Sequence, residues 1–170
     1  MNDSLFIRKA IPADLPDILR IYEEARGYMR TQGNPTQWAN GYPAENLIRE
    51  DIAADRCHLC VDTPSGEILG VFCFFIGDEP TYRRIDGGSW CNDAPCGIIH
   101  RIAVGADAHR RGVASFCFAY AFAMCGNVKI DTHRDNLPMQ HALEKNGFVR
   151  CGMIYLENGD ERIAFQKCGR

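Results

Sequence analysis

Apolar positions along this chain fall into short alternating runs and longer helical stripes, separated by turn residues, and that pattern predicts an ordered series of elements. Residues 5–8, Leu-Phe-Ile-Arg, read as a short strand. Pro12 and Asp14 then open a helix, because proline suits a first turn and an acidic group suits its positive end. Leu15, Ile18, Leu19, Tyr22 and Met29 fall near one face of that helix, and the pattern fades at Gly33-Asn34-Pro35. A second helix is expected over 45–55, with Leu47, Ile48 and Ile52 as its apolar stripe. Strands over 57–62 and 68–76 flank Thr63-Pro64-Ser65-Gly66, the composition of a hairpin turn. A long polar stretch, 77–96, precedes a strand over 97–104. The segment His109–Ala114 then leads into a helix ending near Cys125. Residues 128–132 form the next strand. A helix over 136–146 carries Pro138 early and is stopped by Gly147. Strands at 148–156 and 161–167 join through Glu157-Asn158-Gly159-Asp160, a strong hairpin signal. The order β-α-α-β-β-β-α-β-α-β-β implies an α/β fold with helices around a mixed, mostly antiparallel sheet.

Composition narrows the class. The chain has 170 residues, with 46% apolar and 24% charged, which suits a single domain over 1–170 with its core within 5–168. A formal net charge of −3 gives no reason to expect nucleic acid or an anionic membrane as partner. No apolar run is long enough to span a bilayer, and the polar start lacks a secretory pattern, so a cytoplasmic protein is expected. Nine cysteines scattered through apolar segments read as reduced thiols. Cys57-His58-Leu59-Cys60 has the outline of a metal or redox motif, but residues three apart on a strand face opposite sides. Core packing competes with zinc there, and no metal is expected.

The chemistry concentrates at the junction of a strand end and a helix start, His109-Arg110-Arg111-Gly112-Val113-Ala114. First-turn N–H groups lack intrahelical partners, the helix dipole adds partial positive charge, and Gly112 allows close approach of a ligand. This suits an anion such as a pyrophosphate, and equally a solvated basic turn. The helix that follows is apolar nearly all round. It has one stripe at Val113, Phe116, Cys117, Tyr120, Ala121 and Met124 and another at Phe118, Phe122 and Cys125. Such a helix is buried on more than one side, by its own domain or by a second copy in a homodimer.

These motifs resemble those of the GNAT superfamily of N-acetyltransferases, whose cofactor signature is Gln/Arg-x-x-Gly-x-Gly/Ala after an apolar strand end. Here it reads His109-Arg110-Arg111-Gly112-Val113-Ala114, with His109 in place of Gln or Arg. The later part of the pattern reads Ile130-Asp131-Thr132-His133-Arg134-Asp135-Asn136, then Asn146-Gly147-Phe148. The chain is similar to a bacterial subgroup with Asn-Pro-x-Gln-Trp, His-Arg-Ile-Ala-Val and Asp-Thr-His-x-Asp-Asn. The resemblance implies a GNAT acyl-CoA N-acyltransferase fold whose fourth and fifth strands splay apart. It implies acetyl-CoA as co-substrate, held by Ile102, Ala103, Val104, the 109–114 segment, Ser115 and Asn136.

An amine attacks only when neutral, so a base is needed. Strand alternation puts His100, Ile102 and Val104 on one face and Asp131 and His133 on a face of the next strand. His100, Asp131 and His133 are therefore candidates for proton transfer, or else residues that hydrogen-bond within the fold. Many relatives carry a Tyr seven residues after the motif Asn as general acid, but here that position is Leu143. Tyr155, a water or an unassisted thiolate is then left to complete the reaction. The resemblance directs the acceptor to Gln37, Trp38, Tyr82 and Trp90. The tryptophans either line a pocket for a small-molecule amine or pin their loops. A protein or peptide acetyltransferase and a non-catalytic acyl-CoA sensor are the competing functions.

Overall fold

The structure, a computed structural model, describes residues 4–169; the polar start read at 1–3 lies outside the described residues. Strands β1 (Leu5–Lys9), β2 (Cys57–Asp62), β3 (Ile68–Ile76), β4 (Gly97–Val104), β5 (Asn127–Thr132), β6 (Val149–Tyr155) and β7 (Glu161–Cys168) form one sheet in the order β1-β2-β3-β4-β5-β7-β6. Every neighbouring pair is antiparallel except β4 with β5. Helices α1 (Leu15–Thr31), α2 (Glu45–Ala53), α3 (Val113–Cys125) and α4 (Leu137–Lys145) complete the expected order.

Two layers cover the sheet. On one face α3 and α4 pack Val113, Phe118, Ala121 and Leu143 against Phe72, Ile99, Ile130 and Phe165. On the other, α1 and α2 set Ile18, Ile21, Tyr22, Ile48 and Ile52 over Leu59 and Val71. The 77–96 segment covers the rest of that face, with Tyr82 and Cys96 meeting Ile98, Ile154 and Ala164. It is pinned rather than loose. Asp86 and Met153 exchange backbone hydrogen bonds of 2.9 and 2.8 Å, and a Cβ on Gly88 would stand 2.1 Å from the Cys151 carbonyl oxygen. The Cys57 and Cys60 side chains enter opposite layers, as strand alternation requires. Helix α3 buries Val113, Cys117, Phe118 and Ala121 and half-buries Phe122 and Cys125, so both apolar stripes are largely covered by this chain, and only Ala119, Ala123 and Met124 are exposed.

One strand departs from simple alternation. β3 pairs Val71 with Ala103 but Cys73 with His100, so Arg101 and Ile102 together oppose Phe72. This is a β-bulge, with Arg101 at φ 51°. A left-handed arginine is strained and persists only when its surroundings fix it. Here the Tyr22 hydroxyl donates to the Arg101 carbonyl at 2.8 Å, and the guanidinium holds Asp51 with two bonds of 2.9 and 2.8 Å. The bulge corrects the expected sharing of a face. Ile102 and Val104 turn to the α3 layer with Ile99, while His100 stays on the opposite face with the 77–96 segment.

Candidate functional site

The parallel pairing of β4 and β5 lasts only from Gly97 with Val128 to Ile99 with Ile130. Past that point the strands diverge, and the bulge at Arg101 begins two residues beyond the last pair. A cavity of about 700 Å³ opens there. Its wall takes His100, Arg101 and Ile102 from β4, and Asp131 and Thr132 from β5. Gln37 and Trp38 come from the α1–α2 connection, Glu79 from the 77–96 segment, Asn136 from the start of α4 and Arg162 from β7.

Three titratable groups meet on this wall. His100 Nε2 lies 2.8 Å from Glu79 Oε2, and His100 Nδ1 lies 4.0 Å from Asp131 Oδ2. The Tyr82 hydroxyl donates to the same Asp131 oxygen at 2.7 Å. Hydrogen bonding from His100, outweighing an opposing burial cost, holds the Glu79 carboxyl down at about 2, with Thr81 adding two further donors to Oε1. An ionised Glu79 can only accept, so His100 Nε2 carries a proton toward it while Nδ1 faces Asp131. Burial and the neighbouring Asp131 carboxylate push the Tyr82 phenol well above its ordinary range, keeping it a donor. The three side chains are only 12–20% exposed, which strengthens their mutual electrostatics.

The 109–115 segment forms a separate cradle at the far end of β4. Gly112, at φ 76°, stands at the start of α3, and no heavy atom lies within 4 Å of where its Cβ would be. Arg110 is exposed at φ 72°. Arg111 is turned to Asp62 at 2.5 Å, which offsets part of the charge expected of the pair. His109 packs against Tyr28 with ring centroids 4.3 Å apart and the planes tilted by 32°. Ser115 Oγ accepts from Asn146 at 3.0 Å.

The structure thus gathers Gln37, Trp38, His100, Ile102, Asp131 and Asn136 around one cavity. Asn136 caps α4 through Oδ1 and donates to Gln37 Oε1 at 2.9 Å, joining segments far apart in sequence. Tyr82 stands behind Asp131 rather than on the wall. Trp90 packs on Tyr82 at 5.2 Å, donates to its carbonyl and takes Lys129 over its ring, also off the wall. Ala103 is buried toward α1, and Val104 packs toward α3. His133 follows β5 and takes the Asp135 N–H at 3.1 Å on Nδ1; burial, then the charge of Arg162, lowers its pKa. Leu143 is wholly buried, and Tyr155 meets Arg84 at 4.4 Å away from the cavity. Sequence reasoning missed Glu79 and Arg162, whose positions depend on contacts across the sheet. Thr132 Oγ1 is buried on the cavity wall without a hydrogen-bond partner. Among the described residues no group of three or more His, Cys, Asp or Glu is arranged to hold a metal ion, and no helix is long and apolar enough to cross a membrane.

The profile of the Acetyltransferase (GNAT) family matches residues 16–148. A solved GNAT-family acetyltransferase from Streptococcus agalactiae 2603 is 30% identical, with 98% of this chain and 96% of that chain covered and a TM-score of 0.89. A GNAT-family acetyltransferase from Bacillus cereus ATCC 10987 is 24% identical over 98% of this chain and 99% of that chain, with a TM-score of 0.63. The NatC complex bound to Gag peptide and CoA shares the fold at 14% identity, with 98% and 99% covered and a TM-score of 0.60. No curated protein sequence matches the chain.

Proposed function

This chain belongs to the Acetyltransferase (GNAT) family, and from that premise we propose that it transfers the acetyl group of acetyl-CoA to a primary amine of a small molecule by direct attack on the thioester. The observation that carries the reading is the His100–Glu79–Asp131 cluster on the wall of the cavity between β4 and β5.

The residues present fit the co-substrate. The open space at Gly112, the exposed Arg110 and the first-turn N–H groups of α3 suit a pyrophosphate. The unpartnered Thr132 Oγ1 and the backbone of Ile102–Val104 suit the amide-bearing arm that would run through the strand gap. Acetyl-CoA supplies an activated thioester whose thiol, with a pKa of about 8.5, makes a fair leaving group. Leu143 has no proton to give, and Tyr155, under Arg84 and outside the cavity wall, is not assigned to protonate that thiolate.

The acceptor's ammonium bridges His100 Nδ1 and Asp131 Oδ2, which stand 4.0 Å apart, from the cavity side. Asp131, oriented by Tyr82, accepts one N–H. His100, oriented by Glu79 at Nε2, takes one proton on Nδ1 and leaves a neutral amine; as the C–N bond forms and the C–S bond breaks, the second N–H proton leaves with the departing thiolate as the CoA thiol. A positioned base of this kind contributes roughly 10²–10⁴ in rate. Free cysteines throughout the chain support a reducing, cytoplasmic setting.

The test is thiol release from acetyl-CoA over a panel of small amines and peptides. Turnover with a small amine is expected. Release with peptide amines alone, or CoA binding without release for any amine, overturns the reading.

A further inference from the structure

Arg162 is the unusual group on the cavity wall. It is 5% exposed, and its one hydrogen bond runs from Nη1 to the carbonyl of Glu161 at 2.9 Å. No carboxylate among the described residues comes within ion-pairing distance of it. The other guanidinium on the wall, Arg101, is fully engaged by Asp51 through two bonds. Burying a cation without a counter-ion is costly, and the guanidinium cannot shed its proton to escape the cost. Arg162 and Ala164 lie on one face of β7, and Ala164 pairs with Asp131, so this charge belongs to the same wall as the proton-transfer cluster.

We propose that Arg162 binds the carboxylate of the acceptor, which is a free amino acid with its amine at His100 and Asp131. This rests on the acetyl-transfer reading above and specifies its substrate class. A carboxylate matches the planar fork of guanidinium donors. A phosphate does not suit the site, because Glu79, Asp131, Glu157 and Asp160 also face the cavity and repel a dianion. The same acids favour the ammonium of a zwitterion. Trp38, Leu47, Met29 and Leu156 supply an apolar wall for the side chain. The acceptor thus has one negative group for one unpaired cation and one positive group for the acidic cluster.

The experiment compares free amino acids with their decarboxylated amines, using wild type, Arg162→Gln and Arg162→Lys. Acetyl-CoA turnover is measured together with calorimetric titration of the same compounds into the CoA-bound protein. Wild type is expected to prefer amino acids by at least about tenfold in kcat/KM, each tenfold being about 1.4 kcal/mol. Arg162→Gln should erase the preference by weakening the amino acids alone, and Arg162→Lys should restore it in part. Retained thermal stabilisation by CoA verifies that the variants fold. Equal use of both compound classes by wild type, or an equal loss for both in Arg162→Gln, overturns the proposal. Should no compound turn over, Arg162-dependent calorimetric binding of amino acids supports the carboxylate site while the acetyl-transfer reading fails; absence of that binding overturns the site as well.

Discussion

Replacing Glu79 by Gln keeps the side chain's shape and removes the charge that His100 meets at 2.8 Å. The Glu79 carboxyl lies at about 2 in the folded protein against a reference of 4.5, with His100 the largest cause. A depressed carboxyl contributes stability above its unfolded pKa and loses it as pH falls through the folded pKa. At about 1.4 kcal/mol per unit, the full contribution is about 3 kcal/mol at neutral pH. The same linkage leaves about 2 kcal/mol at pH ~3.5. Side-chain exposure of only 17% means solvent screening removes little of it. Urea unfolding of wild type and Glu79→Gln at matched pH values reads the difference directly. The gap between them should narrow by about 1–1.5 kcal/mol from neutral pH to ~3.5 and keep closing below that. Parallel stability curves across this window would refute the hydrogen-bonded contact of Glu79 and His100.

The cradle predicts that CoA at 100 times its Kd stabilises the protein by about 2.7 kcal/mol. Gly112→Glu, which puts bulk and negative charge into open space at φ 76°, should abolish the thermal shift; an unchanged shift would remove the cradle assignment. The two tryptophans should separate. Trp38 lines the cavity and packs edge-on to Tyr22 at 5.6 Å, so Trp38→Ala should raise the acceptor KM and leave CoA affinity intact. Trp90 supports Tyr82 from behind, so Trp90→Ala should cost about 2–4 kcal/mol of stability in chemical denaturation. Equal effects of the two substitutions on KM and stability would contradict these placements.

Much of the fold was legible because its elements are locally specified. Asn158-Gly159 marks the β6–β7 hairpin, Pro12 opens the 3₁₀ turn over 12–14 that precedes α1, Pro138 sits in the first turn of α4, and β3 and β4 end on the last residues of their apolar runs. The GNAT resemblance pointed to the 109–114 segment and the strand divergence through motifs that are contiguous in sequence. What stayed hidden depends on distant partners. The bulge at Arg101 needs Asp51 and Tyr22, and strict alternation therefore put Ile102 and Val104 on the wrong face relative to His100. Glu79 looked like one more acid in a polar loop until that loop folded over β4. Arg162 was not singled out in the strand over 161–167, because only the packing of β5 and β6 on β7 buries it. Trp90 was drawn to the acceptor by its loop position, whereas Gly88 presses that loop against β6 and turns the ring onto Tyr82.

The most direct test of the account is the kinetics of His100→Ala beside its affinity for CoA. The His100 side chain touches Glu79 and faces Asp131 and is no part of the 109–115 cradle, so proton transfer and co-substrate binding should separate. The account predicts a fall in kcat of roughly 10²–10⁴, loss of the ascending limb of the pH–rate profile, and an unchanged CoA dissociation constant. Wild-type turnover by His100→Ala across pH ~6–9 would contradict it.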